Sequence, residues 1–171
     1  QSDRDRYEVC NHRYTAVADG GAGGAVLNDS KYGVNVLGSE IRLTLLKSAL
    51  MPDSGADRGP QEFTYAFCPF LGSLSDSDVV REAIELNEPP ILGGDAPVGM
   101  EPIFLSRNKN VIVDTIKPAD RAENALLVRV YECMGAGTAA SFTAAKPIDR
   151  IEETDMLEEQ PRPLDRDVLR H

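Results

Sequence analysis

The feature that most limits what this chain can become is its short-range alternation. Apolar residues come at every second place in brief runs, and each run ends in Gly, Pro, Asn or Asp. In Ile41-Arg-Leu-Thr-Leu45, Ile41, Leu43 and Leu45 face one side and Arg42 and Thr44 the other, the period of a half-buried strand. Tyr7-Glu-Val-Cys10 alternates in the same way. Tyr14–Ala18 and Gly24–Leu27 read as strands, and Phe63, Tyr65 and Phe67 share one face of the strand after the Ile41 run. Val111–Ile116 and Leu126–Tyr131 form a pair, joined by the polar connection Lys117–Ala125, which suits a hairpin with a loop. Many short strands between turn signals specify an antiparallel sandwich rather than a parallel sheet.

One segment departs from this period. Ser75–Asn87 places Val79, Val80, Ala83, Ile84 and Leu86 at helical spacing. Ser75 with Asp78 three residues on has the form of a capping box, Asp76 and Asp78 complement the helix dipole, and Pro89-Pro90 end the helix. One short helix near 76–87 is expected to lie across the sandwich. From Pro147 the charges become dense, and Pro161 and Pro163 exclude a long central strand. The expected division is a β-sandwich domain over 1–146 and an acidic, Pro-containing segment over 147–171. That segment supplies one edge strand between Ile148 and Leu157 and is loose toward His171.

Length and charge exclude several functions. The 171 residues, 42% apolar, suffice for one domain with a real core. A formal net charge of −10 repels phosphate, so neither nucleic acid nor an anionic membrane is an expected partner. No apolar run approaches the roughly 18 residues of a membrane helix. The start at Gln1, without Met or a signal-peptide pattern, reads as a cut inside a longer chain. Cys10, Cys68 and Cys133 are odd in number and far apart. They read as buried thiols in a reducing compartment, which makes a cytoplasmic location the expectation. Asn28-Asp-Ser30 matches a glycosylation sequon, which a cytoplasmic protein does not use.

Catalytic patterns are sparse. The two histidines, His12 and His171, stand at opposite ends, and no zinc-ligand spacing occurs; no metal site is expected. There is no Gly-x-Ser-x-Gly elbow, and neither Cys10 nor Cys133 has a context that lowers a thiol pKa. Gly20-Gly-Ala-Gly-Gly24 has the wrong spacing for a phosphate loop and leads into a strand, so it reads as a flexible hairpin tip. Asp53 and Asp57 are close enough in sequence to suggest the carboxylate pair of a glycosidase, but Asp in such a loop ordinarily caps its own turn. Glu152-Glu153 and Glu158-Glu159 read as a solvated face. Tyr32, in a turn, is the best exposed aromatic for a sugar contact.

The order of motifs adds a resemblance. Asn28-Asp-Ser-Lys-Tyr-Gly33, Ile41–Ser48, Pro52-Asp-Ser-Gly-Ala-Asp-Arg-Gly59 and Glu62-Phe-Thr-Tyr-Ala-Phe67 resemble a succession in the C-terminal β-sandwich region of family 38 α-mannosidases. Tyr7–Tyr14, Asn87-Glu-Pro89 and Val111–Glu132 with Gly135 extend the likeness over most of residues 7–142. Gln61 and Phe70 stand where the family usually has His, and Lys47 stands where it has an Arg near the substrate pocket; Lys lacks the planar fork of Arg.

The resemblance implies a supersandwich-like antiparallel β-sandwich that contains no catalytic residue. It implies a retaining α-mannosidase as parent, whose carboxylate nucleophile and zinc ion belong to an absent N-terminal barrel. This chain would pack on that barrel and line the rim of its cleft, with Lys47, Tyr32, Asn28 and Asp29 as the rim candidates. The mannoside would be touched only peripherally, and the interdomain face, left bare, would favour self-association. A stand-alone carbohydrate-binding β-sandwich module is the alternative, and a β-sandwich interaction protein unrelated to sugars is a third.

Overall fold

The computed structural model describes residues 7–91, 93 and 101–164. Among the described residues the architecture is mainly β, every strand pair is antiparallel, and one α-helix accompanies the sheets. The chain divides into two compact units, Gln1–Ile91 and Leu92–His171. The expected loose end toward His171 lies, from residue 165 onward, outside the described residues.

In the first unit the strands are β1 (Val9–Cys10), β2 (Tyr14–Ala18), β3 (Ala22–Asn28), β4 (Gly33–Leu37), β5 (Glu40–Leu43) and β6 (Tyr65–Leu71), followed by α1 (Val79–Asn87). They form two sheets, in the orders β1-β4-β5 and β2-β3-β6. In the second sheet the register Tyr14↔Leu27↔Ala66 and Ala16↔Ala25↔Cys68 puts small and medium apolar side chains on one face. Helix α1 covers that face with Val79, Ala83 and Leu86, and Ala25, Leu27, Val79 and Ala83 are buried there. Burying a side chain such as Val79 in full stabilises by about 1.5–3 kcal/mol.

Two glycines make this sheet possible, and their role differs from the hairpin tip expected of them. Gly20, at φ 91°, forms the tip, but Gly23 and Gly24 are strand residues. A Cβ on Gly23 would collide with the Phe70 ring and stand 2.6 Å from the Val17 carbonyl oxygen. A Cβ on Gly24 would stand 2.8 Å from Cε2 of Phe67. The two glycines thus accept two rings of β6 on opposite faces, Phe70 inward and Phe67 outward. Tyr65 and Phe67 do share a face, and it is the outer one: they are 57% and 70% exposed.

The helix begins later than its sequence pattern implies. A single 3₁₀ turn occupies Leu74–Asp76, and α1 starts at Val79. The expected box between Ser75 and Asp78 does not form. Ser75 is hydrogen-bonded to Ser73, and the Val79 N–H donates to Ser77 Oγ at 3.3 Å. The 3₁₀ turn has already used the residues that a box would need, and Asp78 stands at the N-cap position without a side-chain cap bond. At the other end the Glu88 N–H donates to the Ile84 carbonyl at 2.7 Å before Pro89.

The second unit contains β7 (Phe104–Ser106), β8 (Val111–Pro118), β9 (Leu126–Glu132), β10 (Phe142–Ala144), β11 (Glu152–Glu153) and β12 (Arg162–Pro163), paired β8-β9, β7-β10 and β11-β12. The β8-β9 hairpin slips register between Val113 and Thr115, a bulge that sharpens its twist. Val111, Ile112 and Phe142 are buried, and the Phe142 ring stacks on Phe104 at 5.0 Å. The edge strand in the acidic segment is only two residues long, with Pro163 in its partner.

Charges hold that acidic segment to the hairpin. Lys117 Nζ lies 2.6 Å from Asp120 and 2.5 Å from Glu158, and Arg121 lies 2.8 Å from Glu159. The Asp120 N–H also donates to Glu158, and Arg121 Nε donates to the Leu157 carbonyl. Lys117 holds the carboxyls of Asp120 and Glu158 below their ordinary values, and they hold its ammonium above its own. A lowered carboxyl adds stability that is complete above its unfolded pKa and lost as pH falls through the folded one. A raised ammonium adds stability that is complete below its unfolded pKa and lost as pH rises through the folded one. The latch is therefore at full strength from about pH 5 to about pH 10.

Two outcomes follow. Gly23→Ala should destabilise the first unit by about 1–3 kcal/mol in denaturant unfolding, and adding Phe70→Leu should recover part of the loss; an unchanged midpoint would refute the packing role. Lys117→Met should speed hydrogen exchange at the Asp120 and Glu159 amides at neutral pH. Wild-type protection there should fall below about pH 4. Exchange that ignores both changes would mean that the pairing of β11 with β12 alone holds the segment.

Candidate functional site

The four rim candidates all belong to the first unit and fall into three environments. Asn28 ends β3 and is only 2% exposed. Its Nδ2 donates to Asn11 Oδ1 at 3.1 Å, and its Oδ1 accepts the Lys31 N–H at 2.8 Å. Its carbonyl accepts Asn87 Nδ2 at 3.0 Å, and its N–H donates to the Arg13 carbonyl. The side chain is thus spent on closing the 28–31 turn and fixing it to Asn11 in the connection between β1 and β2, while the carbonyl ties the turn to the end of α1.

Asp29 lies beside it, half-buried. Its carboxylate accepts the Ser30 hydroxyl at 2.7 Å and the Thr64 N–H at 2.9 Å. The Ser30 hydroxyl foremost, with the Thr64 N–H, holds its pKa below the usual carboxylate range. Lys31 extends over the Phe63 ring, 4.4 Å from its centroid, a cation–π contact. Tyr32 is 53% exposed, and its ring is parallel to that of His12 with centroids 6.3 Å apart.

Lys47 stands on the irregular loop between β5 and β6. Its ammonium is exposed, 3.6 Å from Glu8, and Glu8 also accepts the Thr44 hydroxyl. The Lys47 backbone is fixed from the far end of the loop. Asp57 accepts the N–H of Lys47 at 3.0 Å and of Ser48 at 2.7 Å. These bonds, that of Ser48 first, pull the Asp57 carboxyl below its ordinary pKa, and the nearby charge of Lys31 adds to them. Ser48 and Asp57 both sit at positive φ, 52° and 59°, the local strain of a tight closure.

Asp53 likewise accepts the Gly55 N–H at 2.8 Å. Both loop aspartates therefore act on backbone amides, as Asp in a turn ordinarily does. The structure brings Asp29 to Thr64 and Lys47 to Glu8 and Asp57, exposes Tyr32 beside His12, and keeps Asn28 inside. Glu8 and Asp57 were missed as contributors to this surface. The signal for Asp57 was present in its Pro/Gly-rich setting, but not its partner nine and ten residues back. Among the described residues no group of three or more His, Cys, Asp or Glu is placed to hold a metal ion. Burial, with the charges of Glu82 and Asp78, pushes the Cys68 thiol up, away from reactivity. No helix among the described residues is long and apolar enough to cross a membrane.

Comparison with known proteins places the chain in a family. Residues 1–55 match the glycosyl hydrolases family 38 C-terminal domain, and residues 110–170 match the glycosyl hydrolases family 38 C-terminal beta sandwich domain. The chain belongs to the C-terminal region of glycosyl hydrolase family 38. Alpha-mannosidase G of Dictyostelium discoideum is 37% identical over 164 residues, 90% of this chain and 15% of that protein. Alpha-mannosidase 2C1 of Homo sapiens is 35% identical over 170 residues, 96% of this chain and 16% of that protein. Alpha-mannosidase of Saccharomyces cerevisiae is 36% identical over 169 residues, again 90% and 16%. The chain thus spans about one sixth of the length of these relatives. Within this family 38 sequence, Phe70, at a position the resemblance gives to His, is a packing residue against Gly23 and the core.

The buried turn and the braced loop each have a measurable consequence. Asn28→Ala should cost about 1–3 kcal/mol, because the Lys31 amide and the Asn11 side chain lose their partner. The sequon at Asn28 should carry no glycan when the folded chain is passed through a secretory host, as read by intact mass. Asp57→Ala should raise amide exchange at Lys47 and Ser48 roughly tenfold or more, with the β2-β3-β6 amides unchanged; equal exchange would show that the loop is held elsewhere.

Proposed function

We propose that this chain is the non-catalytic C-terminal part of a retaining α-mannosidase, packed against an N-terminal zinc-containing catalytic barrel that the chain does not include. The observation that carries this reading is the pattern of likeness: identities of 35–37% over nine-tenths or more of this chain, to α-mannosidases of which it spans 15–16%. The carboxylates support it. Glycoside hydrolysis needs two, one on each side of the scissile bond, while Asp53 and Asp57 are committed to backbone amides.

Zinc belongs, in this reading, to the part of the enzyme outside this chain. Lys47, Tyr32 and Asp29 are the residues of this chain that line the rim of the cleft. Lys47 would supply a flexible cation to sugar hydroxyls and Tyr32 a partly exposed ring. Asn28 acts behind them by holding the turn. A location in the cytoplasm goes with this proposal.

The parallel, exposed rings of Tyr32 and His12 favour one second reading, a module that binds sugar unaided. One pair of measurements separates the two. The 171-residue chain should release no aglycone from an aryl α-mannoside, with or without added zinc, while the longer enzyme turns over. Titration of the chain with millimolar mannose should leave the resonances of Tyr32 and Lys47 unmoved. Turnover that scales with chain concentration through repurification overturns the first reading, and saturable shifts at Tyr32 favour the second.

A further inference from the structure

We infer that the outer face of β2-β3-β6 is the surface on which this chain meets the rest of its parent polypeptide; the inference rests on the reading that the chain is one part of a longer glycosidase. The sheet has two unlike faces. The inner one holds the core under α1. On the outer one the register brings together Val17, Val26, Tyr65, Phe67 and Leu71. Tyr65, Phe67 and Leu71 are 57%, 70% and 84% exposed. No strand position on that face carries a charged side chain, although the chain has 28 acidic and 18 basic residues. Soluble proteins rarely leave such a contiguous apolar patch bare.

The face is also preformed. Gly24 leaves the Phe67 ring free to lie down on the sheet, and a ring held flat loses little freedom when it is covered. Aromatic side chains fixed in this way are the usual anchors of an interface.

Its size selects the occupant. β3 and β6 are each seven residues long, about 23 Å at roughly 3.3 Å per residue, and three strands span about 14 Å at roughly 4.8 Å apart. With β2 only five residues long, the face offers about 300 Å², or roughly 600 Å² counting both sides. That lies within the range of about 600–1,500 Å² for contacts between domains of one polypeptide. It falls well short of the roughly 1,200–2,000 Å² of a stable complex between separate proteins. A covalently joined partner fits and a second copy does not. The relatives supply such a partner in length, since this chain accounts for only 15–16% of them.

Hydroxyl-radical footprinting of the full-length enzyme and of the 171-residue chain, with rates normalised to a free peptide, tests the assignment. Tyr65, Phe67 and Leu71 should be oxidised several-fold more slowly in the full-length enzyme, with buried Leu27 slow in both. Equal rates at Tyr65 and Phe67 overturn the assignment. Slow rates already present in the 171-residue chain at every concentration overturn it too, as does slowing that grows with chain concentration, which would make a second copy the occupant. Hydrolysis of an aryl α-mannoside is followed in the same samples. Activity with unprotected rings rejects the surface and leaves the family function standing; protected rings without activity do the reverse.

Discussion

The close seating of α1 on the small-residue face of β2-β3-β6 is the contact on which the first unit depends. Ala16, Ala25 and Ala66 let the helix approach, and Val79 and Ala83 fill the space completely. At Gly23 the Phe70 ring and the Val17 carbonyl fill the space that a side chain would need. The other face of the same sheet carries Phe67, Tyr65 and Leu71, which are exposed.

The candidate site is built the same way, by groups whose work is to hold others. Asn28 and Asn87 join the turn after β3 to the end of α1. Asp29 ties that turn to Thr64 at the start of β6, and Asp57 draws in the amides of Lys47 and Ser48. Carboxylates that accept backbone N–H groups are stabilised in the charged form, which agrees with the lowered pKa of Asp29 and Asp57. The surface that results exposes the ammonium of Lys47, beside Glu8, and the ring of Tyr32, beside His12.

How much of this was legible in the sequence varies by element. The Val111–Ile116 and Leu126–Tyr131 pair was readable because its connection is local and polar, and β8 and β9 match it. Helix α1 was readable from its period, but its start was not, because a 3₁₀ turn over Leu74–Asp76 takes up the residues of the Ser75 box. Strands β7 and β10, three residues each, carried too short a signal to be read, while β4, as long as β2, went unread. The motif order from Asn28 to Phe67 pointed to the family, but it could not say that Asn28 is interior, because burial of a polar side chain is settled by partners such as Asn11, which lies 17 residues away.

By itself the sequence determined an antiparallel β architecture, one short helix, the family to which the region belongs and the lack of any spaced set of metal ligands. Period, turn residues and motif order are local properties, and local properties survive in one dimension. Only the tertiary structure decided which face of a strand is covered, whether a glycine serves a turn or a neighbouring ring, and whether Asp57 is left for chemistry or consumed as an anchor. Each of these depends on a partner brought in from elsewhere in the chain, and spacing alone carries no record of which partner arrives.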